Sequence, residues 1–356
     1  MVVRVTTYNL LSTKLANPDY HIHCESKYLA TEYRWEIIKS QLSSEILFSS
    51  IICLQEVSTE WLEKLTPFLH SNKYAIVGGT YGLFQSDGDM GVFIAYPYDV
   101  YTLEELRQIK PGREIKKYTK KLKKAQSERL KSFLFWLISS IFNLIPRFIP
   151  FKENLINLIS KREDTWQKAI NKDNLLVLCR FKQKTDSKGS FCIGTYHMPC
   201  NFTNPSLMLI HSSMACKLLA KFADTNPYVF AGDFNLKPCD PGYKMITEGG
   251  SNYNQLVDQS SNFEVKLVVG LDQPLFSAYK LAKGKEPTFT NYSFCKSNNQ
   301  FKDCIDYIFC SQGWAVQSVS DLQEVALGDA YPSAYHPSDH LMISAELMLG
   351  GNPPKN

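Results

Sequence analysis

Polar side chains that could do chemistry follow a short apolar run two thirds of the way along the chain. Val229-Phe-Ala-Gly-Asp-Phe-Asn235 reads as a buried strand that ends in a carboxylate and a carboxamide. Side chains at positions i and i+2 of an extended segment project to the same side, so we expect Asp233 and Asn235 to face one point. Such oxygen donors suit a hard cation and a phosphate. The same pattern also occurs in turns whose side chains hydrogen-bond their own backbone. The residues at the other strand ends must therefore distinguish a ligand site from such a turn.

Other predicted strands end in polar groups as well. Strands hold a ligand site rigid while the loops at their ends are free to vary, so ligands collect at such ends in α/β folds. Besides Asp233 and Asn235, six groups lie at or beside the ends of apolar runs: Asn9, Glu56, His197, Asp306, Asp339 and His340.

Together these groups could hydrolyse a phosphoester with a metal and without a covalent intermediate. Glu56 is the first candidate ligand for Mg²⁺, which keeps waters and accepts phosphate oxygens. Asp233 is the candidate to orient or deprotonate an attacking water. A neighbouring carboxylate such as Asp306 would fix the tautomer of His340 and raise its basicity.

The remaining groups fit the phosphate itself. Asn9 and Asn235 can hold a phosphate or a water without adding negative charge, and His197 can donate to a non-bridging oxygen. The sequence holds no Ser or Cys nucleophile motif and no glycine-rich phosphate loop. The pattern therefore favours metal-assisted chemistry over acyl-type chemistry.

The composition sets the class of protein. With 356 residues, 44% of them hydrophobic, the chain can bury a large core as one or two α/β domains. Ten cysteines occur without a Cys-x-x-Cys pair, which favours a reduced, cytoplasmic compartment over a disulfide framework. Arg4 interrupts any apolar N-terminal run, so we expect no signal peptide. His21-Ile-His23-Cys24 is a weak candidate for a local metal site.

The elements that must position these groups follow from periodicity. Over residues 32–48 the apolar side chains recur at steps of three and four, which predicts an amphipathic helix. Further helices are predicted over 58–70 and 207–222, whereas residues 236–271 read as a polar loop. Short apolar runs predict the strands.

Six segments, in order along the chain, resemble the endonuclease/exonuclease/phosphatase superfamily. They are Thr7-Tyr-Asn-Leu-Leu11, Leu54-Gln-Glu-Val57, Gly194-Thr-Tyr-His197, Ala231-Gly-Asp-Phe-Asn235, Ile305-Asp-Tyr-Ile308 and Pro337-Ser-Asp-His340. The resemblance covers residues 2–347 apart from an insertion. It implies a four-layer α/β sandwich, with two mixed β-sheets face to face and helices outside.

The resemblance also implies a role for each residue. Glu56 would be the main Mg²⁺ ligand, assisted by Asn9, with Asp339 beside the metal. Asp233 would orient the water and Asn235 would contact phosphate or a second metal. His197 would contact phosphate, and Asp306 would pair with His340.

The C-terminal third resembles the carbon-catabolite-repression deadenylase, nocturnin and angel group, through Ser277-Ala-Tyr279 and Glu286-Pro-Thr-Phe-Thr-Asn-Tyr292. That likeness implies the 3′ end of poly(A) RNA, or an adenine-containing nucleotide, as the substrate. Phe301 would stack on adenine or belong to the core, and Asn291 would line the pocket. Phe202 is a further substrate-binding candidate, although its loop lacks the Trp/Asp/Pro pattern usual in deadenylases.

The domain expectation is one catalytic domain interrupted once. Residues 1–100 and 173–349 form it, residues 101–172 are a basic, then apolar helical insertion, and 350–356 are a tail. No leucine-rich repeats precede the domain, so docking to a deadenylase complex through them is not expected.

The insertion has an uneven charge. Residues 101–132 hold eleven Lys and Arg against four Glu, while the whole chain is only +4. The apolar run Phe133–Ile145 is shorter than the roughly 20 residues that span a bilayer. Residues 116–151 therefore suit an interfacial helix on an anionic membrane, an arm that packs on the domain or on a second subunit, or a guide for RNA.

Taken together, we expect a Mg²⁺-dependent phosphodiester hydrolase, with Mn²⁺ as a possible substitute, that acts as a 3′-to-5′ exoribonuclease with poly(A) preference. The alternative is a phosphatase or phosphodiesterase for a small nucleotide, phosphoinositide or phospholipid at a membrane surface. A catalytically dead binding module is the third class, and the presence of both Glu56 and His340 argues against it.

Overall fold

The computed structural model describes residues 1–82, 90–121, 163–185, 189–250, 271–294 and 300–350. Its strands are β1 (Val2–Asn9), β2 (Ile51–Gln55), β3 (Tyr74–Tyr81), β4 (Met90–Pro97), β5 (Tyr101–Ile109), β6 (Leu176–Gln183), β7 (Ser190–His197), β8 (Tyr228–Asp233), β9 (Phe276–Ser277), β10 (Asn291–Phe294), β11 (Gln300–Asp303), β12 (Asp306–Cys310), β13 (Trp314–Val319) and β14 (Ile343–Leu349). Its helices are α1 (Ser26–Leu29), α2 (Thr31–Leu47), α3 (Thr59–Ser71), α4 (residues 111–121), α5 (Glu163–Ile170), α6 (Pro205–Ala223), α7 (Pro241–Glu248) and α8 (Ala278–Lys283).

Two six-stranded mixed sheets and one hairpin contain these strands. The first sheet has the order β13-β14-β1-β2-β4-β3, and the second has the order β5-β6-β7-β8-β12-β9. Each sheet contains a parallel pair, β1 with β2 and β7 with β8. Strands β10 and β11 form the separate antiparallel hairpin.

The sheets pack face to face because alternate residues of the central strands are apolar. Val3 and Val5 of β1 pack in one buried cluster with Val229 and Ala231 of β8. This use of every second residue follows from the period of a strand. The core between the sheets therefore joins strands that are far apart in sequence.

Helices cover both outer faces. Trp35 of α2 and Trp61 of α3 pack on Leu54 of the first sheet, while α6 and α7 cover the second sheet through a cluster that includes Phe230 and Phe234. The four-layer α/β sandwich predicted from the resemblance is confirmed.

The predicted start of the insertion at residue 101 is wrong. Tyr101–Ile109 is an edge strand of the second sheet and pairs with β6, because its backbone extends the ladder although its exposed side chains are charged. Ile115 of α4 and Ala169 of α5 are also buried in the core cluster of the second sheet. The apolar part of the insertion and most of residues 116–151 lie outside the described residues, as do residues 351–356.

No helix in the described part of the chain is long and apolar enough to cross a membrane.

The loop predicted over residues 236–271 is also wrong in its first half, where α7 lies. Pro241 occupies the first turn, where its missing N–H is not needed, and Gly249 ends the helix with a φ of 69°. Further along the chain, β11 ends at Asp303 and β12 begins at Asp306, so the two strands are separate elements.

Candidate active site

The carboxyl ends of the two parallel strand pairs meet at one edge of the sandwich. Asn9 pairs with Gln55 across β1 and β2, and His197 pairs with Asp233 across β7 and β8. Asp306, the first residue of the antiparallel β12, also pairs with Asp233. Polar groups from both sheets are therefore brought to the same end.

These polar side chains point between the sheets because side chains alternate between the two faces of a strand. Val229 and Ala231 lie in the inter-sheet core, so Asp233 projects in the same direction. Ile308 does the same for Asp306 on β12. The apolar filling thus stops where the polar cluster begins.

Two residues of the cluster have a left-handed backbone. Glu56 has a φ of 54° and Asn235 a φ of 50°, a region that costs non-glycine residues energy and is enriched at functional sites. In an extended strand Glu56 would face opposite to Gln55, so the turn is what brings its carboxylate to Asn9. At Asn235 it overturns the extended geometry predicted from sequence: the Asn235 N–H donates to Asp233 Oδ1 at 2.9 Å, and the Asn235 amide donates to the Met198 carbonyl.

Asn9 connects carboxylates from the two sheets. Its Nδ2 lies 3.2 Å from Glu56 Oε1 and 3.0 Å from Asp233 Oδ2. The other oxygen of Glu56 accepts from the Ser12 N–H at 3.0 Å. The Leu11 N–H in turn donates to Asn9 Oδ1 at 2.9 Å, which fixes the amide orientation.

Two histidines approach the same carboxylate oxygen. Nε2 of His197 lies 3.4 Å and Nε2 of His340 lies 3.7 Å from Asp233 Oδ2. On the far side of each ring, His340 Nδ1 contacts Asp306 Oδ2 at 2.9 Å, whereas His197 Nδ1 contacts the hydroxyl of Tyr81 at 2.7 Å. The two rings are therefore held by different chemical groups.

Burial and charge shift the titration of this cluster. Burial raises the pKa of Asp233, and the nearby His340 only partly opposes this. Burial lowers the pKa of His340, but the carboxylates of Asp306, Asp339 and Asp233 outweigh it and raise that pKa well above its ordinary value. His340 is thus suited to carry a positive charge beside acidic groups.

The loop before β14 adds two residues to the edge. Ser338 donates to the Asn9 carbonyl at 2.7 Å and accepts from the His340 N–H at 3.1 Å. Asp339 Oδ2 accepts from the Asn291 amide at 3.3 Å. Asn291, which begins the hairpin, is therefore tied to the acidic cluster.

An aromatic pair belongs to the same hairpin and the loop after His197. The rings of Phe202 and Phe301 are 5.7 Å apart, and Lys237 Nζ lies 5.0 Å from the centroid of Phe301. Lys237 also pairs with Asp303 at 2.9 Å. Phe202 is 43% exposed, so a flat apolar surface and a cation are open to a ligand here.

The structure therefore links the predicted site residues into one connected group with two parts. The acidic part contains Asn9, Glu56, His197, Asp233, Asn235, Asp306, Asp339 and His340, and the second part contains Asn291, Phe202 and Phe301. The local His21-Ile-His23 candidate does not join them as a ligand set: His21 is buried, while His23 stacks on Phe294. In the described ranges the metal-ligand atoms of Asp233, Asp306 and His340 lie within 4.8 Å of one another.

Two supporting residues were missed in the sequence. Arg34 is fully buried and donates to the carbonyls of Leu10, Leu11 and Pro337, so it clamps two loops of the site. A signal was present, since a cation at that position shares the buried stripe of α2 with Ile38. Tyr81 carried no signal, because nothing local shows which residue meets the end of β3.

Comparisons with known proteins agree with this geometry. Residues 217–340 match the model described as the Endonuclease/Exonuclease/phosphatase family. The 2',5'-phosphodiesterase 12 of Mus musculus is 24% identical over 360 residues, which cover 97% of this chain and 51% of the relative. The CCR4-Not complex 3'-5'-exoribonuclease subunit Ccr4 of Mycosarcoma maydis is 24% identical over 381 residues, which cover 96% and 50%.

A solved structure shows the same fold. ANGEL2, a 2',3'-cyclic phosphatase in complex with adenosine-2',3'-vanadate, matches with a TM-score of 0.69 and 19% identity over 99% of this chain and 96% of that chain. The chain spans about half the length of the curated relatives it matches. The family match over residues 217–340 and the shared fold agree with the resemblance to the endonuclease/exonuclease/phosphatase superfamily that the six ordered motifs carry.

Proposed function

We propose that the protein is a divalent-metal-dependent phosphodiester hydrolase that removes nucleotides from an adenylate-rich RNA 3′ end. The observation that carries this proposal is the pair of histidines on one carboxylate oxygen, Asp233 Oδ2, beside Glu56. Groups that orient a water, hold a phosphate and bind a cation are thereby within a few ångströms of one another.

The residues present fit a hard divalent cation. The donors are carboxylate and amide oxygens, which Mg²⁺ and Mn²⁺ prefer over soft ligands. Asp306 Oδ1 is buried and has no hydrogen-bond partner among the described residues, as expected of a carboxylate beside an ion. Glu56 would be the main ligand with Asp339 nearby, and Asn9 would assist by holding the Glu56 carboxylate through its Nδ2. The ion would neutralise negative charge that builds on the phosphate oxygens.

The protein's own groups then divide the remaining work. Asp233 Oδ2 orients the attacking water and accepts its proton, because burial raises the pKa of this carboxyl towards that of a useful base. His340, kept protonated by Asp306, donates to a phosphate oxygen, and His197 donates from its Nε2. Asn235 is the further phosphate contact.

The hairpin next to the cluster explains a preference for a base. The rings of Phe202 and Phe301 offer a stacking surface, worth about 1–3 kcal/mol per base. Two parallel stacks on one base need ring centres roughly 7 Å apart, since aromatic contacts are about 3.5 Å. The observed 5.7 Å means that a base either displaces one ring or stacks on one of them alone, with Asn291 below.

A second candidate linkage is favoured by a specific observation. The relatives named 2',5'-phosphodiesterase 12 align with 97% of this chain, which favours a 2′,5′-linked oligoadenylate as the second candidate substrate. Both substrates contain adenine and a phosphodiester, and they differ only in which ribose oxygen is the leaving group.

The deciding experiment gives the protein four oligonucleotides with Mg²⁺. They are 5′-labelled RNA with an A tail, the same RNA with a U tail, a 2′,5′-linked oligoadenylate and an RNA that ends in a 2′,3′-cyclic phosphate. A stepwise ladder on the A tail, lost with EDTA and in Glu56→Gln, is the expected result. Cleavage of the 2′,5′-linked chain alone would show that the protein acts on that linkage instead.

Two further substrates test the alternative outside RNA. A dinucleotide such as NADPH and a phosphoinositide in vesicles are offered under the same conditions. Phosphate released from either, with every oligonucleotide intact, would overturn the nuclease proposal and leave the metal-dependent phosphoesterase cluster in place.

A further inference from the structure

The hydroxyl of Tyr81 contacts the ring of His197, the histidine of the candidate site whose Nδ1 has no carboxylate partner among the residues that the structure describes. Tyr81 is the last residue of β3 and is 4% exposed. Its oxygen is 2.7 Å from His197 Nδ1. A buried phenol so close to a histidine nitrogen forms a hydrogen bond whose direction depends on the tautomer of the ring.

The surroundings of the other ring nitrogen decide that direction. His197 Nε2 lies 3.4 Å from Asp233 Oδ2 and 3.9 Å from Glu56 Oε1. An unprotonated Nε2 would turn its lone pair towards two carboxylate oxygens, which is repulsive, whereas an Nε2–H is attracted to them. In the neutral ring Nδ1 must then be the acceptor, so the Tyr81 hydroxyl donates.

We propose that Tyr81 is a positioning residue that holds His197 as the neutral tautomer with its proton on Nε2, ready to donate to a phosphate oxygen. The hydroxyl also has the Asn174 side chain as a partner, and Asn174 Nδ2 donates to the His197 carbonyl at 2.9 Å. The ring and the backbone of His197 are thus fixed from one side by the same two residues.

This arrangement gives the two histidines different tasks. Nδ1 of His340 contacts a carboxylate, Asp306 Oδ2, whereas Nδ1 of His197 contacts a phenol hydroxyl, Tyr81. Pairs of like groups in unlike environments are how one site divides acid and donor roles. The proposal rests on the proposed function only for its catalytic consequence, since the tautomer itself can be observed in the resting protein.

Nuclear magnetic resonance of the full chain with nitrogen-15 labelled histidine tests the tautomer directly. Spectra are recorded at about pH 8, above the ordinary pKa of histidine, and His197 is assigned by its loss in His197→Gln. We expect an unprotonated Nδ1 and a protonated Nε2 in the wild type, and a mixture of tautomers in Tyr81→Phe. A protonated Nδ1 in the wild type, or an unchanged spectrum in Tyr81→Phe, would overturn the proposal.

Tyr74→Phe is the matched control. Tyr74 begins the same strand, is buried, and its hydroxyl has no hydrogen-bond partner among the described residues. Its removal should leave the signals of His197 unchanged. Equal changes in both variants would show a general effect of strand β3 and would also contradict the proposal.

Kinetics supply the second readout on whichever substrate the oligonucleotide panel identifies. We expect Tyr81→Phe to lower kcat about 10-fold, the lower end for losing a residue that orients an active-site group, with KM changed less than about twofold. A rise in KM alone would show that Tyr81 binds substrate instead. If the panel finds no substrate, the proposed function fails while the magnetic resonance result still decides the tautomer.

Discussion

At the scale of single residues, the proposed chemistry depends on the group that contacts Nδ1 of each histidine. His340 has a carboxylate behind it, Asp306, and His197 has a phenol, Tyr81. Both rings turn the opposite nitrogen to Asp233 Oδ2. The difference between the two rings therefore arises from the groups that contact Nδ1.

Replacing Asp306 with Asn tests the charged state of His340. The carboxylates of Asp306, Asp339 and Asp233 raise the pKa of His340 against burial, so the ring keeps its proton to a higher pH than an ordinary histidine. Without Asp306 that pKa falls and the charged form is lost at lower pH. We expect kcat to decrease about 10- to 100-fold and the alkaline limb of the pH–rate profile to move to lower pH.

The control for this change is Asp321→Asn, an exposed carboxylate paired with Lys283 on the surface. It should leave both the rate and the profile unchanged. An alkaline limb that stays in place in Asp306→Asn would show that His340 does not act as the charged donor.

Phe301 carries the prediction about base recognition. If a base stacks on its ring, Phe301→Ala removes about 1–3 kcal/mol of binding, so KM for an adenylate substrate should rise about 10-fold with little change in kcat. Phe294 lies on the opposite face of the same hairpin, where it stacks on His23. An equal rise in Phe294→Ala would indicate that the hairpin has been disturbed and that no base stacks on Phe301.

At the scale of elements, one buried carboxylate joins a helix to three segments of the first sheet. Glu45 of α2 accepts from Arg4 at 2.8 and 2.9 Å and from Thr6 at 2.7 Å. It also accepts from Ser50 at 2.6 Å, just before β2, and from Ser344 of β14 at 3.0 Å. Strand β1, which ends at Asn9, is thus anchored below the active site.

Glu45→Gln should therefore destabilise the fold in a pH-dependent way. Burial raises the pKa of Glu45, but the hydrogen bonds from Arg4, Ser50 and Thr6 outweigh it and lower the pKa to about 2. The folded pKa lies below the ordinary value of 4.5, so the carboxylate stabilises the fold above that pH and this contribution is lost as pH falls towards 2. We expect a loss of roughly 3 kcal/mol at pH 7.

Urea unfolding at pH 7 and near pH 3 measures this dependence. The gap between wild type and Glu45→Gln should shrink at the lower pH. Glu346→Gln is the control, because its carboxylate is partly exposed and lies 3.5 Å from Arg4, so its loss should cost about 1 kcal/mol or less. A gap that is the same at both pH values would contradict the role of the Glu45 charge.

At the scale of the whole molecule, the insertion is anchored at both ends. A side chain at Gly112, in α4, would meet the carbonyl oxygens of Lys172 and Ile170 at 2.5 and 2.6 Å, so the two ends of the insertion are in contact there. Ile115 and Ala169 are both buried in the core of the second sheet. We therefore expect the separable part to be residues 122–162 and not all of 101–172.

Replacing residues 122–162 with a Gly/Ser linker of about eight residues, which reaches roughly 16 Å, should keep the fold. The active-site groups come from strands outside this segment, so kcat on a short soluble substrate should change less than about twofold. Deleting residues 111–170 is the contrasting variant, and it should lower the melting temperature because it removes Ile115 and Ala169 from the core of the second sheet. Loss of activity in the linker variant would show that the segment belongs to the catalytic unit.

The linker variant also separates the roles proposed for the basic region. Weaker binding to long RNA, with an unchanged rate on a short one, would support electrostatic guidance. Loss of binding to anionic vesicles would support the interfacial helix. An unchanged affinity for both would leave packing on another protein surface as its role.

The sequence by itself determined the composition of the site and the layers of the fold. Strand period places Asp233, His197 and Asp306 on inter-sheet faces, and helical period gives the outer layers, because both are local properties of the chain. The six ordered motifs indicated the family for the same reason. The charged residues of β5 led to the wrong prediction that the insertion starts at residue 101, because an exposed edge strand with charged side chains resembles the start of a basic arm.

Only the tertiary structure decided how the groups meet. Asn9 and Asp233 are 224 residues apart in sequence yet lie 3.0 Å apart, which depends on how one sheet is placed on the other. The left-handed backbone at Glu56 and Asn235 and the partner of His197 Nδ1 depend on the same placement. Such contacts are set by packing across the sandwich, and a pattern along the chain carries no information about the distance across it.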